Sequence, residues 1–225
     1  MIVNYGDLGS GIDLKELLRS FGLVHITDAE FTIDEFADFA KNLGEPLKTE
    51  KHTSNEFVQM VSHDGLFENG DVDWHNDWSY GRGSYYGTVL YNIKGGHLAD
   101  TTFCDMTKAP RKLKDKYRGK MGEYFPPQRL QSNCFTEKQI KILKRMQVRR
   151  PFVQHWQGKE LLYCSLGTIN EDFPDIREFA EQNSHTHKWK EGDILIWDNM
   201  RMMHKRNSFT GERTLWRVQF AIGTK

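Results

Sequence analysis

The segment Trp74-His75-Asn76-Asp77 sets an imidazole and a carboxylate two residues apart, and a second imidazole, His204, follows Asp198-Asn199 near the far end of the chain. In an extended segment, residues two apart point to the same side. Two imidazoles and one carboxylate on one face suit an iron(II) that keeps open coordination positions for O2 and a co-substrate. That is oxygenase chemistry. An isolated His-x-Asp arises often by chance, so its neighbours must carry the argument.

Those neighbours supply strands. Asp193 to Trp197 reads as a short apolar strand entered from the turn Glu191-Gly192, with His204 just beyond its end. After the turn Gly211-Glu212, the run from Arg213 to Phe220 reads as an alternating strand, so Arg213, Leu215 and Arg217 share one face. Two guanidinium groups beside a metal ligand ask for an anion.

Four motifs in order resemble the taurine dioxygenase-like (TauD/TfdA) family of iron(II)/2-oxoglutarate dioxygenases. They are Trp74-His75-Asn76-Asp77-Trp78-Ser79-Tyr80, Gly95-Gly96 with Asp100-Thr101-Thr102-Phe103, Trp197-Asp198-Asn199 with His204, and Arg213 with Arg217. The likeness runs from Phe21-Gly-Leu-Val-His-Ile-Thr27 and the helix-like segment 33–43, ending in Gly44-Glu45-Pro46, to the final strand. It implies that His75, Asp77 and His204 hold Fe(II), that Arg213 grips the distal carboxylate of 2-oxoglutarate with Thr101 alongside, and that Arg217 is a second pocket arginine, one that meets anionic substrates in some relatives. A buried carboxylate is well met by a bidentate guanidinium with a hydroxyl beside it. The resemblance also implies O2 as oxidant, release of succinate and CO2, hydroxylation as the default outcome, and a double-stranded β-helix (jelly roll, cupin-like) core with flanking helices. Halogenating relatives carry a small residue in place of the carboxylate ligand, so Asp77 speaks against halide chemistry.

The chain departs from the family pattern in three places. His97-Leu98-Ala99 intervenes where the glycines usually run almost directly into the threonine, which leaves Thr102 a rival to Thr101. Met200 stands where an arginine is common, so a supporting contact is lost or comes from Arg201. The stretch between Asp77 and His204 is short for the family, which predicts a reduced lid over the site.

Substrate polarity is read from flanking residues. Trp78 and Tyr80 follow the metal motif closely enough for one of them to line the pocket, although core packing is the default for such aromatics. Asp71 stands four before the first metal histidine, a position that in taurine dioxygenase helps form the amine-binding side. Asp71 and Arg217 together would select a zwitterion, hence a small, amino-acid-like substrate. The alternatives stay open: a solvated loop acid for Asp71 and a core ion pair for Arg217.

Composition fits a soluble enzyme. The 225 residues are read as one domain, 1–225; 38% hydrophobic and 12% aromatic residues suffice for a core. No apolar run approaches the roughly 18 residues of a membrane span, and the start lacks a signal-peptide pattern, so the expected compartment is cytoplasmic. Cys104, Cys134 and Cys164 are odd in number and widely spaced, and they read as reduced, packed thiols. Nothing in the sequence sets an oligomeric state.

Helical patterns cover 13–19 and 33–43, the second opened by Thr32 as N-cap with Glu35 three residues on. Strand-like runs follow at 57–62, 84–93, 152–156, 160–164, 193–197 and 214–222, so the chain is mainly β with flanking helices. The remaining histidines, His25, His52, His63, His97, His155, His185 and His187, read as surface or hydrogen-bonded residues. His185-Thr186-His187 imitates a metal pair, but in a polar loop whose one nearby acid is Glu181.

Charge is zero overall but uneven. Residues 107–150 hold fourteen Lys or Arg against three acids, +11, and the remainder carries -11. Such a segment can be a nucleic-acid footprint, yet 108–118 and 137–145 are lysine-rich helical patterns with few aromatics to stack bases, so a solvated surface is the preferred reading. Two rival classes remain: an oxygenase acting on nucleic acid, and a non-catalytic jelly-roll binding protein. The complete ligand set argues against the second.

Overall fold

The computed structural model describes residues 1–9, 11–49, 53–64, 68–81, 86–126, 137–143 and 145–223. In chain order the elements are β1 (Ile2–Asn4), α1 (Leu14–Phe21), β2 (Leu23–Thr27), α2 (Ile33–Lys41), β3 (Gln59–Ser62), β4 (Val72–His75), β5 (Tyr86–Lys94), β6 (Thr101–Asp105), α3 (Arg111–Tyr117), β7 (Met121–Tyr124), α4 (Glu137–Leu143), β8 (Val148–Pro151), β9 (Val153–Trp156), β10 (Lys159–Leu162), α5 (Pro174–Gln182), β11 (Ser184–His187), β12 (Ile194–Asp198), β13 (Met202–Arg206) and β14 (Thr214–Ala221). The chain is mainly β with few helices.

Local chemistry sets the helix ends. Asp13 caps α1 by accepting from the amides of Lys15 and Glu16, and Gly22, at φ +75°, closes it in a left-handed conformation. Thr32 and Glu35 form a reciprocal capping box on α2. Pro110 keeps the preceding Ala109 out of the helical conformation, at φ -54° and ψ 131°, so the helix begins at Arg111 and not at Lys108.

Two sheets carry the molecule. One has six strands in the order β1-β2-β12-β5-β14-β3, the other four in the order β11-β6-β13-β4. Ile194 pairs with Ile26 and Tyr91, and Trp216 also pairs with Tyr91, so one row of the large sheet faces α2 and buries Phe36, Ala37 and Ala40. Burying a side chain such as Phe36 contributes about 1.5–3 kcal/mol. The alternate residues, Leu90, Leu195, Trp197 and Leu215, pack against Phe103 and Met202 of the small sheet. The outward face of the small sheet buries Trp74, Cys104 and Met203 against α5 and the β9–β10 hairpin.

The structure differs from the sequence expectations in several elements. Residues 184–187, expected as a polar loop, form β11 and pair with β6, Thr186 opposite Thr102 and His187 opposite Thr101. Its Ser-His-Thr-His run carries no apolar alternation, so only the ladder reveals it. Strands β1, β2, β6, β7, β8 and β13 and helix α5 also go beyond the expected list. Residues 57–58 precede β3 instead of belonging to it. Ser84, Tyr85, His52 and Cys134 lie outside the described residues; Cys104 and Cys164 are free, buried thiols. No described helix is long and apolar enough to cross a membrane.

Candidate active site

Register in the small sheet brings the first two ligand candidates together. His204 on β13 stands opposite His75 on β4 and, on its other side, opposite Phe103 on β6, so all three share one row facing the large sheet. The two imidazole centroids are 4.2 Å apart. Asp77 arrives differently from the expected extended alternation: β4 ends at His75, and Asp77 opens the turn that follows. Asn199 makes that possible, accepting from the Asp77 amide at 2.8 Å and donating to the Asp77 carbonyl at 2.8 Å. Asn76 in turn donates to the Asn199 carbonyl at 2.7 Å.

The donor atoms of His75, Asp77 and His204 lie within 4.8 Å of one another. His75 Nδ1 lies 2.9 Å from the Asp73 carbonyl and His204 Nδ1 3.2 Å from the Met202 carbonyl. A carbonyl can only accept, so each Nδ1 carries the proton and each Nε2 presents a lone pair. Those Nε2 atoms stand 3.6 Å and 3.9 Å from Asp77 Oδ1. Burial first, and the neighbouring His75 second, push His204 down to about 3, which keeps it the neutral imidazole a metal requires. Burial alone would raise the Asp77 carboxyl; Arg217, His75 and His204 outweigh it and hold the group well below the usual carboxylate range.

The second Asp77 oxygen is occupied by protein. Thr88 donates to Oδ2 at 3.1 Å, Gln219 at 3.4 Å, and the Arg217 guanidinium lies 3.5 Å away. Gln219 is fixed from behind by the Trp78 indole, which donates to its Oε1 at 2.8 Å. Trp78 sits at φ +55°, a left-handed conformation unusual for a bulky residue, in the turn directly after Asp77. Tyr80 packs on Trp78 with ring centroids 5.6 Å apart; burial first and Asp77 second push its phenol far above the ordinary range. Arg150 donates to the carbonyls of Ser79 and Gly81 and so braces this loop from the basic segment.

Beside the three donors opens a pocket lined among others by Thr101, Arg206, Arg213 and Arg217. Arg213 is 1% exposed, and its Nε has no hydrogen-bond partner among the described residues. No carboxylate pairs with it among them either. Burial, with Arg206 adding its charge, pushes it down to about 9, still cationic at neutral pH. A buried guanidinium without an anion is costly, and the cavity supplies the place for one. Gly95, at φ +68°, is what lets the chain pass there: a Cβ on it would lie 2.1 Å from the Glu212 carbonyl, next to Arg213. The residues present therefore fit a metal with a dicarboxylate co-substrate.

The two threonines face opposite ways. Thr101 lines the cavity and accepts from the Trp189 indole at 3.0 Å, whereas the Thr102 hydroxyl meets Thr186 on the opposite face. Arg201 reaches no metal donor; it binds Asp105 through two contacts of 2.9 Å and 2.6 Å and the carbonyls of Arg19 and Ser20. Asp71 is exposed, takes the Ser208 amide on Oδ1 and is absent from the cavity lining. Asp71 and Arg217 therefore do not face one another across the cavity. Sequence reasoning missed Asn199 as a clamp and Thr88 and Gln219 as carboxylate partners; only the Asp198-Asn199 motif gave a signal. In the basic segment Lys114 donates to the carbonyls of Thr107 and Glu160, Lys116 pairs with Asp175 and Arg118 with Glu160.

The chain belongs to the taurine catabolism dioxygenase TauD, TfdA family, whose model it matches over residues 7–219. It is thus an enzyme of the iron(II)/2-oxoglutarate-dependent dioxygenase class. Among its relatives, the 3-((Z)-2-isocyanoethenyl)-1H-indole synthase of Fischerella ambigua (strain UTEX 1903) is 26% identical over 232 residues, covering 90% of this chain and 80% of the relative. The solved structure of AAD-2 with Mn(II) and N-oxalylglycine superposes with a TM-score of 0.73 at 18% identity, covering 96% of this chain and 89% of that one. A taurine dioxygenase from Burkholderia xenovorans gives a TM-score of 0.68 at 18% identity, over 93% and 81%. These two support the fold.

Proposed function

We propose that His75, Asp77 and His204 bind Fe(II), that Arg213 with Thr101 seats the distal carboxylate of 2-oxoglutarate, and that the enzyme oxidises a small acid, amino-acid-like in size and polarity. The observation that carries this reading is the buried Arg213, without an anionic partner among the described residues, in the same cavity as three converging metal donors. We further read residues 1–225 as one domain whose two facing sheets form a double-stranded β-helix.

When bound, iron(II) with 2-oxoglutarate and O2 supplies oxidative decarboxylation of the 2-oxo acid to succinate and CO2, coupled to oxidation of a substrate C–H bond. The chain's own residues do the rest. Asp73 and Met202 fix the histidine tautomers through their carbonyls, and Asn199 fixes the Asp77 main chain. Thr88, Gln219 and Arg217 hold one carboxylate oxygen and leave Oδ1 turned to the histidines. Trp197 and Leu90 give the cavity an apolar wall.

Substrate polarity follows the charge of the lining. Arg206, Arg213 and Arg217 outnumber Asp77, which favours an anionic substrate. Asp71, turned to the Ser208 amide, gives little support to an amine contact, so the acid group is the firmer half of the proposal. Hydroxylation is the first reading. Formation of an alkene is the second, suggested by the relative named for an isocyanoethenyl product. The engagement of Lys114, Lys116 and Arg118 within the fold supports a small molecule over nucleic acid. The experiment is a panel of amino acids, sulfonates and other small acids scored for substrate-stimulated succinate formation. Stimulation only by nucleic acid, with salt-dependent retention on it, contradicts the proposal.

A further inference from the structure

A second cluster of metal-ligating side chains lies between the two sheets, apart from the three donors of the cavity. His25 comes from β2, Asp193 from the entry to β12, and His187 from the end of β11. His25 Nε2 lies 2.8 Å from Asp193 Oδ1 and His187 Nε2 lies 3.2 Å from Asp193 Oδ2. All three donor atoms fall within 4.8 Å of one another, and the imidazole centroids are 4.4 Å apart. We propose that His25, His187 and Asp193 form a second divalent-metal site, of the zinc type, which staples the six-stranded sheet to the four-stranded sheet beside Thr101.

Three observations favour a metal over a plain hydrogen-bonded triad. First, the His187 side chain is 7% exposed, and among the described residues its Nε2 finds no aligned hydrogen-bond partner, its 3.2 Å approach to Asp193 Oδ2 being a charge contact of poor hydrogen-bond geometry. An unsatisfied buried imidazole nitrogen is costly, and a cation between it and the carboxylate removes that cost. Second, one ion about 2.0–2.2 Å from each nitrogen and oxygen places tetrahedral donors roughly 3.3–3.5 Å apart, against nitrogen–oxygen spacings here of 2.8 Å and 3.2 Å. Third, the carboxylate is oriented by the Lys190 amide, which donates to Oδ2 at 2.7 Å, as outer contacts orient ligating carboxylates elsewhere.

The donor set selects the ion. Two imidazoles and a carboxylate bind zinc more tightly than iron(II) along the first-row series. The His25 side chain is 18% exposed, so water could reach a metal held there as a fourth ligand. The site also has a route to the cavity: the Trp189 ring packs edge-on against His187 at 4.8 Å, and its indole donates to Thr101 Oγ1 at 3.0 Å. An ion that fixes His187 would fix the hydroxyl that lines the cavity.

The test is metal stoichiometry. Full-length protein stripped by a chelating resin is dialysed against micromolar Zn2+, and bound zinc is counted by mass spectrometry in folded samples verified by circular dichroism. The expected counts are two equivalents in the wild type, one in His75→Ala, one in His25→Gln and none in the double variant. His25 is partly exposed, which makes it the substitution that spares folding; in the His75→Ala background zinc should also raise the melting temperature, and adding His25→Gln should abolish that rise. The proposal is overturned if His25→Gln keeps the wild-type stoichiometry, or if His75→Ala holds no zinc.

Discussion

Asn199 grips the main chain of Asp77 from both sides, accepting from its amide and donating to its carbonyl, each at 2.8 Å. The two residues are 122 positions apart, and both are buried. Removing the side chain leaves an amide and a carbonyl without partners, at about 1–3 kcal/mol each. Asn199→Ala should therefore lose about 2–4 kcal/mol in urea unfolding and bind iron about 10–100-fold more weakly. Asn199→Asp keeps the acceptor but turns an oxygen on the Asp77 carbonyl, and should be no better. Wild-type iron affinity in either variant would remove the clamp from the account.

Arg213 makes the opposite prediction for stability. Its guanidinium is buried without an anion among the described residues, so replacing it by a similar-sized apolar side chain relieves desolvation instead of breaking a pair. Arg213→Met should leave the unliganded protein at least as stable as the wild type, while losing about 2–5 kcal/mol of 2-oxoglutarate affinity. Thermal unfolding with and without the co-substrate separates the two effects. A variant that is strongly destabilised without ligand would mean that Arg213 has a protein partner.

The adjacent threonines, facing opposite ways on β6, give a paired test. Thr101→Val strands the Trp189 indole N–H and removes the hydroxyl from the cavity, so stability should fall by about 1–3 kcal/mol and co-substrate affinity should fall with it. Thr101→Ser should restore both. Thr102→Val, altering the face that meets Thr186, should change neither, as read by isothermal titration and chemical unfolding.

Acid sensitivity should trace in part to Asp105. Burial alone would raise this carboxyl, but the hydrogen bonds from Arg201 and Thr107 hold it below its ordinary value. A depressed folded value means that the stabilisation is fully present above the unfolded value, about 3.9, and is lost as pH falls through the folded one. Asp105→Asn leaves the Arg201 guanidinium buried without its charge partner, at about 3–5 kcal/mol near neutral pH. The gap between variant and wild type should persist down to about pH 4 and close below it. A gap independent of pH would show that packing, not charge, is at stake.

Much of this is legible in the sequence where the signal is local. The Thr32/Glu35 capping box, the alternation of β14 and the apolar run of β12 all show in short windows. So does the approach of His75, Asp77 and His204, because two short motifs contain them. What is not legible depends on pairing between distant strands. The polar β11 is a strand only because β6 lies beside it, and His187 meets Asp193 and His25 only through that ladder. The turn that carries Asp77 beyond β4 is held by a side chain from the other end of the chain, which no local pattern records.

The most direct test of the central claim is an anaerobic titration of the visible charge-transfer band that forms when Fe(II) and 2-oxoglutarate share one site. The wild type should develop the band with saturable dependence on both components; His75→Ala, Asp77→Ala and His204→Ala should lack it, and Arg213→Ala should need at least about 30-fold more 2-oxoglutarate, the equivalent of about 2 kcal/mol. A band of wild-type intensity in any of the three ligand variants, or an unchanged 2-oxoglutarate titration in Arg213→Ala, would contradict the account.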